Sequence, residues 1–176
     1  MRGPFSSLLM AVVLLVATPV SESASGCVLV LPLPEDVHGA IKHYPARDLP
    51  WYLHYPESLD IPDPETGLRP LMTALFWEKP RHFRKLLELG ANPDLTDSAG
   101  NAALHIAAKI NKPGLVLDLL EAGANPNVRN LQQQTFQTYL FMSDETMLSG
   151  RARKEMAAVI NWLGKNGVPL ELPPKR

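Results

Sequence analysis

The sequence is poor in the groups from which enzyme sites are usually assembled. Cys27 is its single cysteine, so no disulfide can close within the chain and an exported form must be stable without one. The five histidines are His38, His43, His54, His82 and His105. None belongs to a His-Glu-x-x-His pair or has the close Cys or His neighbours that a zinc site needs. A Gly-x-Ser-x-Gly elbow and a glycine-rich phosphate loop are also missing. Neither sign of charge is in excess. Lys and Arg number 17 against 18 Asp and Glu, which leaves no electrostatic footprint for nucleic acid. Asp60, Asp63 and Glu65 crowd one segment. They lack the glycine and distant glutamate of a calcium loop, so a solvated acidic turn is expected. The composition therefore points to no catalytic residue, no cofactor and no metal.

Long apolar runs are scarce as well. Leu8 to Ala17 is the longest, too short to span a bilayer comfortably and close to the length of a signal-peptide core. Arg2 precedes it and the small, polar stretch Ser21 to Gly26 follows. Residues 1–26 are thus expected to be a targeting segment outside the fold. Ala24-Ser25-Gly26-Cys27 resembles the bacterial lipobox, which implies lipidation of Cys27 and anchoring to a membrane. Ala24 stands where that motif prefers Leu, and Ala24-x-Gly26 also suits ordinary signal-peptidase cleavage. Both routes imply export. Residues 27–34 follow as a tether or short strand.

What the chain does contain is a period. Shifted by 33 residues, Gly67 falls on Gly100, Leu71 on Leu104, Ala74 on Ala107 and Lys79-Pro80 on Lys112-Pro113. Leu86-Leu87-Glu88 falls on Leu119-Leu120-Glu121, and Gly90-Ala91-Asn92-Pro93 on Gly123-Ala124-Asn125-Pro126. A strict period of this size marks stacked structural units. Within it, Gly100 to Ala108 and Leu119 to Asn127 resemble the two hallmark strings of the ankyrin repeat. The resemblance implies an all-α solenoid of paired antiparallel helices with hairpin loops. Two clear repeats, 63–95 and 96–128, are flanked by degenerate units at 35–62 and 129–169, and residues 170–176 form a tail.

Each unit should begin with a turn and end on a glycine. A helix is expected from Glu35 to Tyr44. Pro70 suits the first turn of one helix, and a second spans Arg81 to Leu89 with Phe83, Leu86 and Leu87 on its buried face. Val116, Leu119 and Leu120 should play that part in the next unit, and Gly90 and Gly123 should stop the helices in a left-handed conformation. In the third unit Thr135-Phe136 keeps the register. Beyond it Ile160, Leu163 and Gly167 match Val116, Leu119 and Gly123 only with a shift of 44 residues. An exposed loop inserted around 142–153 is expected, and the chain from Pro169 on is expected to be poorly ordered.

The resemblance also assigns roles. Ala74, Ala107 and Ala108 should let helices of neighbouring units approach. His105 should bond to the backbone of a neighbouring turn, with Thr73 or Thr138 replacing it in part elsewhere. Partner contacts are implied at the hairpin tips: Glu65 and Thr66; Ser98, Ala99 and Asn101; Leu131, Gln132 and Gln134. On the first helices they are implied at Phe76 and Trp77, Lys109 and Ile110, and Met142. Phe76 and Trp77 are either an exposed anchor or packed against the segment holding Trp51, Tyr52 and Tyr55. The function implied is protein binding. Small exported bacterial proteins similar to this include periplasmic immunity proteins against toxic effectors, such as type VI secretion phospholipases, and accessory proteins supporting a periplasmic enzyme such as catalase. A hydrolase is the competing class, and the sequence offers it no cluster of titratable groups.

Overall fold

A computed structural model describes residues 37–53, 56–142 and 148–171. The apolar run Leu8 to Ala17, Cys27, the tether 27–34, and His54 and Tyr55 lie outside these. Among the described residues every regular element is helical, and no helix is long and apolar enough to cross a membrane.

The first layer consists of α1 (Val37–His43) and α2 (Leu49–Tyr52), joined by a 3-10 turn, Ala46–Asp48. Helices α3 (Pro70–Phe76) and α4 (Pro80–Glu88) form the second layer, and α5 (Ala103–Lys109) and α6 (Pro113–Glu121) the third. The fourth holds α7 (Phe136–Leu140) and α8 (Gly150–Lys165). First helices pack side by side in the order α1, α3, α5, α7, and α8 packs on α6. Phe83, Leu86, Val116 and Leu119 are wholly buried between layers, beside Ala74 and Ala107. The two alanines lie at the first-helix contact, where a larger side chain would force the backbones apart.

Local chemistry sets the boundaries. Pro70, Pro80 and Pro113 occupy first helical positions, where a missing N–H costs nothing. Gly90 (φ 92°) and Gly123 (φ 90°) are left-handed, and behind them the N–H of Ala91 donates to Leu86 O and that of Ala124 to Leu119 O. This is the paired closing bond of a glycine-capped helix. The fingers are built on one pattern. Asp63 Oδ1 accepts from the N–H groups of Glu65 and Thr66, Asp97 Oδ1 from Ala99 and Asn101, and Asn130 Oδ1 from Gln132 and Gln134, at 2.8–3.1 Å. A second pattern links layers. The Asn92 N–H donates to Asp60 Oδ1 (3.0 Å), and one layer on the Asn125 N–H donates to Asp94 Oδ1 (2.8 Å).

The structure departs from the sequence reading at four places. Asp63 is buried, not solvated. Its carboxyl is held below the usual range chiefly by the Thr66 N–H, burial opposing, and it faces Lys42 at 3.6 Å. The expected loop at 142–153 ends early, because Ser149 Oγ accepts from the Ala152 N–H and starts α8 at Gly150. Residues 143–147 lie outside the described residues. Ile160 is exposed, while Met156, Val159 and Leu163 carry the buried face of α8. The position of Val116 faces a following layer, and among the described residues none covers Ile160. The closing bond at Gly167 nevertheless keeps the 44-residue shift, with the Val168 N–H on Leu163 O. Finally, residues 169–171 are tied down. The Glu171 N–H donates to Gln137 Oε1, Gln137 Nε2 donates to Pro169 O, and the Glu171 carboxylate accepts from Thr135 Oγ1 and pairs with Arg129.

Candidate functional site

The finger tips and the outer sides of the first helices make up one face. Glu65, Thr66, Ser98, Ala99, Leu131 and Gln132 are exposed on it, and Gln134 and Ile110 are half-buried. Asn101 is the exception among the expected contact residues. It is buried, donating to the Asp97 carboxylate while its Oδ1 accepts from Lys109 Nζ (3.0 Å) and from Asn130 Nδ2 (3.1 Å). Its amide holds two fingers together and has little surface to offer.

The aromatic pair is open. Phe76 is 63% exposed and Trp77 49%, and their rings meet edge to face at 5.9 Å. Trp51 is also exposed, while Tyr52 pairs with Tyr44 at 5.6 Å. The rings thus form separate groups. Both Phe76 and Trp77 lie at the end of α3, where Glu78 turns the chain with φ 48°, so neither can fold back under the helix. Lys42 Nζ stands 6.0 Å from the Trp77 ring, a cation–π contact at the outer edge of useful range.

One contributor escaped the sequence reading. Tyr139 Oη lies 2.6 Å from Gln134 Oε1 and 3.0 Å from Gln132 Oε1, and accepts from Asn130 Nδ2. Its ring packs edge-on to His105 at 6.2 Å and lies 4.6 Å from Lys109 Nζ. Its period-mates, Ile106 and Thr73, carry no hint of it. An aromatic hydroxyl facing a glutamine-rich tip was the available signal.

The buried histidines serve the architecture. His105 Nδ1 accepts from the Ala102 N–H, so Nε2 donates to Gln134 O (3.0 Å) in the next finger, as the resemblance implied. His38 Nε2 donates to Ile61 O, which leaves Nδ1 to accept from Thr73 Oγ1. Thr73 is thus spent on the first layer. His82 Nε2 donates to Tyr44 O (2.7 Å). Burial is the main cause that lowers the pKa of both His82 and His105, with Lys79 and Lys109 adding to it. Both are therefore neutral in the folded chain at pH 7. Unfolding returns them to the ordinary value of 6.5, so below that pH the unfolded chain binds more protons and stability falls. Thermal denaturation should show a flat melting temperature above about pH 7 and a decline as the pH falls below about 6.5. Replacing both residues by Gln should flatten the curve in that window. A decline that persists unchanged would place its cause elsewhere.

Among the described residues no cluster of three His, Cys, Asp or Glu could hold a metal. A cavity of about 480 Å³ borders this face at Ile110 and is lined further by Glu78, Arg84, Lys112, Arg151 and Glu155 among others. Its charges are used in pairs: Arg84 with Asp118, Lys112 with Glu78, Arg151 with Glu155.

Residues 99–131 match the family model of the ankyrin repeat. Among curated proteins the chain is similar to protein fem-1 homolog A of Bos taurus, 42% identical over 64 residues, covering 36% of this chain and 9% of that protein. It is 33% identical over 87 residues to NF-kappa-B inhibitor delta of Mus musculus, covering 46% of this chain and 26% of that one. A Schizosaccharomyces pombe enzyme, glycerophosphocholine phosphodiesterase gde1, is 38% identical over 65 residues, 37% of this chain and 6% of its own length. The chain thus spans between 6% and 26% of these relatives. The crystal structure of the ankyrin repeat domain of Bcl-3 superposes with a TM-score of 0.57 at 23% identity, covering 69% of this chain and 50% of that one. Ankyrin repeats are protein–protein interaction modules. Residues 99–131 thus carry an ankyrin repeat, and the stacked helix pairs described between residues 37 and 171 have the ankyrin-repeat fold.

Proposed function

We propose that the chain is an exported protein-binding module whose partner is a toxic secreted effector enzyme, with a phospholipase as the leading class, and that it acts as the immunity protein in a bacterial periplasm, anchored through Cys27. The observation that carries the binding part is the open aromatic pair. Two large rings left exposed at the end of α3, on the face where fingers and first helices meet, are of the type that supplies most of the energy of an interface. Export is supported by Arg2, the apolar run Leu8 to Ala17 and the small residues before Cys27. The choice of effector rests on the resemblance to small exported immunity proteins.

The test is titration of the purified chain against a secreted phospholipase effector encoded beside it. A one-to-one complex that abolishes lipase activity is expected. Replacing Phe76 and Trp77 by Ala should weaken it by about 30-fold for each ring, because anchors of this kind carry about 2 kcal/mol each. The melting temperature should stay near that of the parent chain, since neither ring is in the core. Full inhibition by the double variant would remove the aromatic pair from the interface. No complex at all would remove the effector reading.

A further inference from the structure

Three side chains stand at one-repeat intervals on the outer side of the first-helix row: Phe76, Lys109 and Met142. Phe76 is 63% and Met142 55% exposed, and Lys109 is exposed between them. Phe76 and Lys109 end α3 and α5, and Met142 follows α7 in a turn whose N–H donates to Tyr139 O; because the three helices pack side by side, the residues form a line: apolar, cationic, apolar. Packed helices place successive members about 8–10 Å apart.

The middle member, like Arg69, is held by neutral oxygens and not by a carboxylate. Lys42, Arg84, Lys85, Lys112, Arg129 and Arg151 each meet a carboxylate. Lys109 Nζ instead donates to the neutral Asn101 Oδ1 and stands 4.6 Å from the Tyr139 ring. The nearby acid, Asp97, has its oxygens occupied by the N–H groups of Ala99 and Asn101. Lys109 is therefore fixed in place without a direct ion pair. Ordering a lysine ordinarily costs a binding event much of its side-chain entropy, and here that ordering is already present.

We propose that this line docks a segment of the partner protein in which one carboxylate side chain lies between two large apolar ones, the carboxylate on Lys109. The proposal rests on the protein-binding reading but not on the choice of effector. The spacing fits apolar and acidic positions three residues apart on one side of a polyproline II segment, or about seven apart on one face of a helix. Contacts at Phe76 and Met142 would shut water away from the central pair, which makes a charge-assisted hydrogen bond worth more than an exposed ion pair. The apolar flanks suit a side chain better than a phosphate backbone, and a net charge of −1 does not draw a polyanion.

The test uses a displayed library of random peptides about 18 residues long, enough to cross the line as a helix. It is panned on the full chain and on its Lys109→Glu and Lys109→Arg variants, each checked for an unchanged melting curve. The parent and the Arg variant should enrich peptides with Asp or Glu between apolar residues, and the Glu variant should enrich Lys or Arg at that place. Changing the selected acid to Gln should weaken binding to the parent about 10-fold or more. Joint replacement of Phe76 and Met142 by Ser should remove the selected binders. Selection that ignores the charge at position 109, or that yields no peptide sensitive to the Ser replacements, overturns the proposal. If the charge swap is seen and the effector does not bind, the effector falls and the line stands. If the effector binds and no swap is seen, the line falls and the protein-binding reading stands.

Discussion

Replacing Phe83 by Ala is expected to lower the stability of the domain by about 3–5 kcal/mol, the cost of emptying a large aromatic site in a packed core. Phe83 is wholly buried in α4 and is the period-mate of Val116, also wholly buried in α6. The second and third layers both lean on this level of the stack. In a row of units stabilised by nearest neighbours, weakening one contact also lowers cooperativity. Urea denaturation followed by circular dichroism should therefore show a lower midpoint and a broader transition. A loss below about 1 kcal/mol would mean that the neighbouring layers collapse into the space, and that the packing is looser than the burial indicates.

Replacing Gly100 by Ala is expected to cost about 2–4 kcal/mol, against about 1 for the same change at Gly123, from left-handed strain and overpacking together. Both residues are left-handed, with φ of 75° and 90°. They differ in what a Cβ would meet. At Gly123 nothing lies within 4 Å, whereas at Gly100 it would lie 3.0 Å from Leu131 N and 3.3 Å from the Asn130 backbone. That crowding falls on the bond by which the Leu131 N–H donates to Ala99 O and ties the second finger to the third. Equal losses at the two sites would show that the third finger moves aside without cost.

Much of this frame was legible in the residues. The 33-residue period placed the glycine stops and the buried faces of α4 and α6, because each depends on a local rule repeated in register, and the family resemblance supplied the bond from His105. The failures share a different cause. Ser149 was passed over as the start of α8 because Gly150 beside it reads equally well as loop. Only the packing of α8 against α6 decides the matter. Ile160 looked like core because its aligned residue is core, yet burial depends on a neighbour that the period cannot promise. Asp63 was read as solvated and Glu171 as part of a poorly ordered tail because their partners, Lys42 in one case and Thr135 and Arg129 in the other, are distant in the chain. Of the candidate contact face, the exposed positions followed from the period. Asn101 and Tyr139 did not, because their roles arise from contacts between fingers.

The bonds from Asn92 to Asp60 and from Asn125 to Asp94 have a consequence for how such a molecule could change size. Each aspartate meets a backbone amide one layer along, and a backbone amide is the same whichever side chain it carries. Gain or loss of a layer carrying its own aspartate and amide leaves such a link with a mate, while loss of part of a layer strands a carboxylate. The recognition surface can therefore grow or shrink in whole steps, and with it the breadth of the molecule it can embrace.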